Sequence, residues 1–427
     1  MRSLNQIYKR LNDANTDKVF ERLYGKDTIQ YQKQRYLQLI QIFKTKFPNQ
    51  SNASFFSTPG RTEIGGNHTD HNGGRVLAAA VSLDIVALVA PNTDNNIRIY
   101  SEGYEVIEIK LSELNPIESE KFTSTALVRG VCACLQQLGY IIGGFDAVIS
   151  GEVPKGAGLS SSAAFEVLIV YILNQIYNYN TIDAIEIAQI AQFAENHYFG
   201  KPCGLMDQTT CAVGGIITID FENFNAPKVN KVAVDFSKSG YLLVIVDTGG
   251  NHADLNEDYI ALEHEMKSVA KAFNKDVLRQ INAEMVYSKL KNLRIKCGDR
   301  AILRALHFFG DDQRVVDQVT ALEKSDFKEF FELIIDSGES SWMLCQNCYS
   351  SKYPHEQGIS MALELVKFIL KDKGAYRVHG GGFAGTIQAF IPNDFVKEFD
   401  ENVSKVFGKG SCHVIQIRNE GCIEVII

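Results

Sequence analysis

The run Gly151-Glu-Val-Pro-Lys-Gly-Ala-Gly-Leu-Ser-Ser-Ser-Ala-Ala164 concentrates the residue types that hold phosphate. A strand-like apolar stretch, residues 145–149, leads through Pro154, two glycines and three serines into a helical pattern at about residues 159–177. Glycine lets backbone approach an anion closely. The first helical turn offers free N–H groups at the positive end of its dipole, and the serine hydroxyls add donors. The Gly-Lys-Ser/Thr ending of a P-loop is missing, so a phosphate loop here is of another kind. A serine-capped turn before an ordinary helix would share this composition.

Two further stretches carry chemistry. Pro59-Gly-Arg-Thr-Glu-Ile-Gly-Gly-Asn-His-Thr-Asp-His-Asn-Gly-Gly74 reads as a short turn-rich segment bearing Arg61, Glu63, Asn67, His68, Asp70 and His71. Such a density of donors and acceptors suits a sugar, each hydroxyl of which wants a directed partner; a solvated polar loop is the bland alternative. Arg377-Val-His-Gly-Gly-Gly-Phe-Ala-Gly385 contains Gly-x-Gly-x-x-Gly but precedes an apolar strand-like run, residues 386–391. A dinucleotide fingerprint should open a helix, so the Rossmann reading is rejected.

Together the three stretches resemble the signatures of galactokinases, within the GHMP kinases; they follow that family's order along the chain and span residues 59 to 385. The first is similar to Pro-x-Gly-x-Gly-Leu-Ser-Ser-Ser-Ala. The second is similar to Pro-Gly-Arg-x-Asn-x-Ile-Gly-Glu-His-Thr-Asp-Tyr-Asn-x-Gly, and the third to Arg-Met-Thr-Gly-Gly-Gly-Phe-Gly-Gly. The resemblance implies an ATP-dependent sugar 1-kinase that converts galactose to galactose 1-phosphate with ATP and Mg2+. It implies that Asp207, in Pro202-Cys-Gly-Leu-Met-Asp-Gln208, faces the attacking hydroxyl, and that Arg61 pairs with it and stabilises the moving phosphoryl group. Phosphoryl transfer asks for little else beyond a metal on the phosphates. The resemblance gives that metal Ser162 and Glu195 as ligands, the latter in Ala194-Glu-Asn-His-Tyr-Phe-Gly200. It places ATP on Gly156, Ala157, Gly158, Leu159, Ser160, Ser161 and Ser162, and the sugar on Asn67, His68, Thr69, Asp70, Gly204 and Tyr259.

Four positions depart from the pattern. Asn67 stands for the usual glutamate, Glu63 for asparagine, His71 for tyrosine and His379 for threonine. They fall mainly on the sugar side, and the amide of Asn67 is expected to reach a sugar hydroxyl. Another galacto-configured sugar (N-acetylgalactosamine, galacturonate or arabinose) is therefore an alternative substrate. A non-catalytic galactose sensor is a further alternative, opposed by the complete Ser160-Ser-Ser-Ala163 stretch, Arg61 and Asp207.

The expected fold is α+β, a two-domain GHMP-kinase fold. A mixed-sheet N-terminal domain with the phosphate loop covers residues 1–210. A ferredoxin-like C-terminal domain covers 211–427, its final strand free to pack back on the first. The chain of 427 residues can bury two such cores. Residues 5–48 read as two helical segments broken at Gly25, and 49–54 as a polar loop. Strands are expected at 75–89, 97–100, 106–111, 214–220 and 241–247, and helices at 123–138 and 181–198. Residues 255–375 read as mostly helical with loops near Gly298 and Gly310, and 414–427 as a strand.

A net charge of −8 argues against nucleic acid as a partner. No apolar run reaches the roughly 18 residues of a membrane helix, and the first residues lack a signal peptide's apolar core. With nine cysteines in such a chain, reduced thiols in a cytoplasm are expected. Cys345 and Cys348 form a C-x-x-C without a second pair for zinc, so they read as free thiols. No obligate protein partner is evident.

Overall fold

The computed structural model describes residues 1–154, 158–201, 203–250 and 255–427. The chain opens with β1 (Arg2–Ser3), α1 (Leu4–Leu11), α2 (Ala14–Tyr24) and α3 (Ile29–Lys46). Three helices thus stand where two were expected. The extra boundary is a cap: the Asp13 carboxylate accepts the backbone N–H of Asn15 and starts α2 afresh.

Next come β2 (Asn52–Gly65), β3 (Arg75–Pro91), β4 (Asn96–Ser101), β5 (Ile107–Lys110), α4 (Ser124–Gln137) and β6 (Phe145–Gly151). β2 absorbs the end of the loop expected at 49–54 and half of the segment read as turn-rich. Only the stretch after Gly65 turns. Beyond Asn52 every residue of β2 is buried, because both faces of the strand are covered and no polar alternation is needed. The β2–β3 register shifts at Pro59/Arg61 and again at Glu63/Gly65. Bulges of this kind re-aim side chains, and here they bracket Arg61 and Glu63.

The phosphate-loop segment leads into α5 (Ser161–Tyr177), then α6 (Ala184–Ala194), which ends in a π-helical turn at Glu195–Phe199, then α7 (Met206–Val213), β7 (Ile216–Asp220) and β8 (Lys228–Lys231). After β9 (Tyr241–Asp247) follow α8 (Asn256–Lys271), α9 (Ala283–Ser288), α10 (Leu290–Cys297), α11 (Asp299–Glu323), α12 (Phe327–Ser340) and α13 (Gly358–Leu370). The chain closes with β10 (Ala375–Val378), β11 (Thr386–Pro392), α14 (Val396–Phe407), β12 (Cys412–Ile415) and β13 (Ile423–Val425).

The first sheet is mixed, running β1-β2-β3-β6-β4-β5, with β7 and β8 joined through β3 and β13 joined to β2. Among the described residues only the β4–β6 pair is parallel. The second sheet is antiparallel in the order β10-β11-β9-β12. With helices between β9 and β10 and α14 between β11 and β12, this is the β-α-β-β-α-β arrangement of ferredoxin-like folds. The division expected at residue 210 does not coincide with a sheet boundary, since β7 and β8 extend the first sheet. The tail expected as one strand is two, β12 in the second sheet and β13 in the first. Gly310 lies inside α11 rather than in a loop. The apolar face of a long helix outweighs the roughly 1 kcal/mol that one interior glycine costs.

Candidate active site

β2 delivers Arg61 and the first turn of α7 delivers Asp207. Arg61 Nε donates to Asp207 Oδ1 and Nη2 to Oδ2, both at 2.8 Å, a two-pronged pair. Arg61 Nη1 also donates to the Gly158 carbonyl at 2.5 Å, and its backbone N–H to the Leu159 carbonyl at 3.1 Å. One arginine thus ties the signature strand, the phosphate loop and α7 together. Burial alone would push the Asp207 carboxyl up, but the charge and hydrogen bonds of Arg61, with the Ser160 hydroxyl, hold it below its ordinary value. The Asp207 side chain is 32% exposed.

At the head of α5, Ser160 is left-handed (φ 57°), and no side chain caps the helix. Its hydroxyl is spent on Asp207, so the first-turn N–H groups carry no side-chain cap. Leu159 is buried and contributes its carbonyl, not its side chain. Gly156 and Ala157 lie outside the described residues. Beside this helix end is a cavity of about 780 Å³ whose walls include Arg35, Tyr104, Phe122, Phe199, Ser161 and Ser162. It is large enough for a nucleotide. No sequence motif announced it, because its walls come from α3, the β4–β5 region and the approach to α4.

Ser162 Oγ lies 3.2 Å from Glu195 Oε1, in the π-turn after α6. Gln208 Nε2 donates to Glu195 Oε2 and to Glu166 Oε1, each at 2.8 Å. Burial and the nearby Glu195 charge push the Glu166 carboxyl well up. Glu166 and Gln208 escaped the sequence reading. The only signal for Glu166 was one acid inside the apolar pattern of α5. Ser162 and Glu195 supply two hard oxygens side by side, which suits a divalent cation such as magnesium.

The sugar-side residues divide into two groups. Asp70 faces Gly204 closely: a Cβ on Gly204 would stand 3.0 Å from Asp70 Oδ2 and press on that carboxylate. Burial, reinforced by Asp207, raises the Asp70 carboxyl. His68 Nε2 donates to the Gly381 carbonyl at 2.9 Å, and Tyr259 donates to the Gly382 carbonyl at 2.9 Å. Asn67 and Thr69 differ from expectation. Both are fully buried. Thr69 Oγ1 donates to the Gly66 carbonyl at 2.8 Å and holds the turn. Asn67 Nδ2 donates to Glu63 Oε1 at 2.9 Å and the Gly380 carbonyl at 2.8 Å, while Asn67 Oδ1 accepts from Asn347 at 2.8 Å and Ser341 at 3.3 Å. Every position on that amide is taken, so it does not reach into the cleft.

His379 hydrogen-bonds Thr62 and Thr386 through its two ring nitrogens, both at 3.0 Å. Burial, with Arg61 nearby, lowers its pKa to about 3, so it is neutral. A Cβ on Gly158, where φ is +68°, would sit 3.1 Å from His379 Nδ1; the ring therefore underlies the phosphate loop. Cys345 and Cys348 are buried free thiols, their pKa values raised by burial.

Two family models match the chain. The one described as the GHMP kinases N terminal domain covers residues 126–215, which include the phosphate loop, Glu195 and Asp207. The galactokinase galactose-binding signature covers residues 41–91, from α3 through the Arg61 strand to β3. The fold is also similar to the crystal structure of Lactococcus lactis galactokinase complexed with galactose. That match has 25% identity and a TM-score of 0.77, covering 91% of this chain and 99% of that one. The chain belongs to the GHMP kinases, in their galactokinase branch. A second solved structure, Methanococcus jannaschii mevalonate kinase, shares the fold at 16% identity, with a TM-score of 0.60 over 86% of this chain and 98% of that one. Membership of the GHMP kinases implies ATP as phosphoryl donor. Among the described residues no helix is long and apolar enough to cross a membrane.

Proposed function

We infer that this chain transfers the terminal phosphoryl group of ATP to the anomeric hydroxyl of galactose, giving galactose 1-phosphate and ADP. One observation carries the reading: the Arg61–Asp207 pair stands where the phosphate loop meets the galactose-binding signature. Asp207, held ionised, orients the attacking hydroxyl and takes its proton as the new P–O bond forms. Arg61 stays charged throughout and offsets negative charge on the phosphoryl group in flight. The first-turn N–H groups of α5, with Ser161 and Ser162, hold the phosphates, and the neighbouring cavity takes the rest of the nucleotide. Ser162 and Glu195 would hold magnesium, which neutralises charge on the phosphate oxygens when bound. His68, Asp70, Gly204 and Tyr259 bind the sugar, while Asn67 and Thr69 shape their turn. The nine free cysteines fit a reducing cytoplasm.

The test is a panel of sugars with Mg-ATP, following ADP release and identifying the phosphorylated product. Galactose should give ADP and galactose 1-phosphate. ADP release with N-acetylgalactosamine, galacturonate or arabinose alone would keep the kinase and replace its sugar. Binding of galactose without turnover of any sugar would make the chain a sensor.

The metal assignment makes its own prediction. Ser162→Ala and Glu195→Ala should each raise the magnesium concentration for half-maximal rate, because each deletes one hard oxygen. A magnesium titration of initial rates measures this, and unchanged curves in both variants would place the metal elsewhere.

A further inference from the structure

The two departures from the galactokinase signature at positions 63 and 67 touch each other. The signature has an amide at the place of Glu63 and a carboxylate at the place of Asn67; this chain has the reverse. Asn67 Nδ2 donates to Glu63 Oε1 at 2.9 Å, and the same oxygen accepts from Arg377 Nη2 at 3.0 Å. All three residues are buried, Arg377 and Asn67 at 0% exposure and Glu63 at 6%. Arg377 is further anchored by the Ile64 carbonyl at 2.6 Å.

We propose that Glu63 and Asn67 are an exchanged carboxylate–amide pair that positions the turn carrying His68 and Asp70. The proposal rests on the galactose-kinase reading. Either arrangement of the pair keeps one amide, one carboxylate and one negative charge near Arg377, although a carboxylate at 67 would give up the bond to the Gly380 carbonyl. A buried spot of this kind tolerates one carboxylate and punishes none or two. Two carboxylates would repel at hydrogen-bond distance, and two amides would leave Arg377 without this counter-charge. Each departure alone is damaging, and together they compensate. The pair also sets geometry. The backbone N–H of Asn67 donates to Asp311 Oδ2 at 2.7 Å and its carbonyl accepts from His307 at 2.9 Å, so the residue before His68 is fixed from both sides. Through Gly380 and Asn347 the same amide locks this turn to the C-terminal glycine-rich loop. In this chain the pair's negative charge is drawn onto Arg377, so recognition of sugar hydroxyls falls on His68, Asp70 and Tyr259.

The experiment is a double-mutant cycle with side chains of unchanged size: Glu63→Gln, Asn67→Asp and both together. Asn67→Asp sets two carboxylates face to face. It should lower the thermal unfolding midpoint by about 6 °C or more and raise the galactose KM by about 10-fold, with kcat changed less than about 3-fold. Glu63→Gln should fall in the same direction. The double variant restores one charge and one amide, so it should recover at least half of the Asn67→Asp losses in both midpoint and KM. If Asn67→Asp yields no folded protein, folded double variant is the same result. Losses that simply add in the double variant, or single variants that behave as wild type, overturn the exchange. Recovery of the midpoint without recovery of KM overturns the positioning role. Should wild type phosphorylate no galactose, the functional reading fails, yet the midpoints still decide whether the pair is exchanged.

Discussion

Asp207→Asn lowers kcat by at least about 100-fold, about 2.7 kcal/mol of transition-state stabilisation. The substitution keeps the size of the side chain but removes its capacity to accept the hydroxyl proton. It also breaks the pairing with Arg61, since an amide can present one oxygen to the guanidinium and not two. The cavity beside α5 and the first-turn N–H groups are untouched, so the affinity for ATP should stay close to that of wild type. Single-turnover rates with bound nucleotide, alongside an equilibrium measurement of ATP binding, separate these two effects. A kcat within a few-fold of wild type would remove Asp207 from the mechanism.

Arg61→Ala is expected to cost about as much, on the order of 100- to 1000-fold in kcat, as is usual for deleting a preorganised donor aimed at developing charge. Its more telling signature is a displaced pH profile. Arg61 is what keeps the Asp207 carboxyl below its ordinary value against the opposing push of burial. Without the guanidinium that push prevails and the carboxyl protonates at higher pH. The acid limb of the residual activity should therefore move upward in pH. Stability follows the same sign. The depressed Asp207 group contributes stability that is present above its unfolded pKa and lost as pH falls through the folded value; the variant forfeits it. Arg61→Lys, charged but without the fork, should lie between. A pH–rate series on the three proteins decides the matter, and acid limbs that coincide in pH would show that Arg61 does not govern Asp207.

The candidate residues for the reacting centre stand out in the sequence because phosphate and sugar chemistry demands particular residue types at short spacing. Pro59 to Gly74 and Gly151 to Ala164 are such runs, and the resemblance they carry gave Arg61, Asp207, Ser162 and Glu195 their expected roles. Long-range burial was not readable. Asn67 looked like a sugar ligand because a polar residue in a turn is normally solvated or bound. The groups that saturate it, Gly380, Ser341 and Asn347, lie 313, 274 and 280 residues away along the chain. The cavity beside α5 was invisible for a related reason, its walls being assembled from elements that carry no motif. Glu166 hid inside an apolar helix where periodicity reports packing and nothing else. Gly310 and the divided tail show local signals losing to tertiary context: a long buried helix face in one case, two different sheets competing for adjacent strands in the other.

The order of synthesis gives the β13–β2 pairing a further meaning. β2, which bears Arg61, is edged by β1 at Asn52–Ala53 and by β13 at Phe55–Ser57. Those β13 residues, Ile423–Val425, lie far downstream of β2 in the chain, so a ribosome adds them long after it. Until they emerge, the strand that carries the arginine has an unpaired flank, and an open strand edge invites non-native pairing. The first sheet therefore cannot be completed when β2 leaves the ribosome; its closure waits for residues 423–425. A chain without β13 thus has the signature sequence but not the finished sheet that aims it.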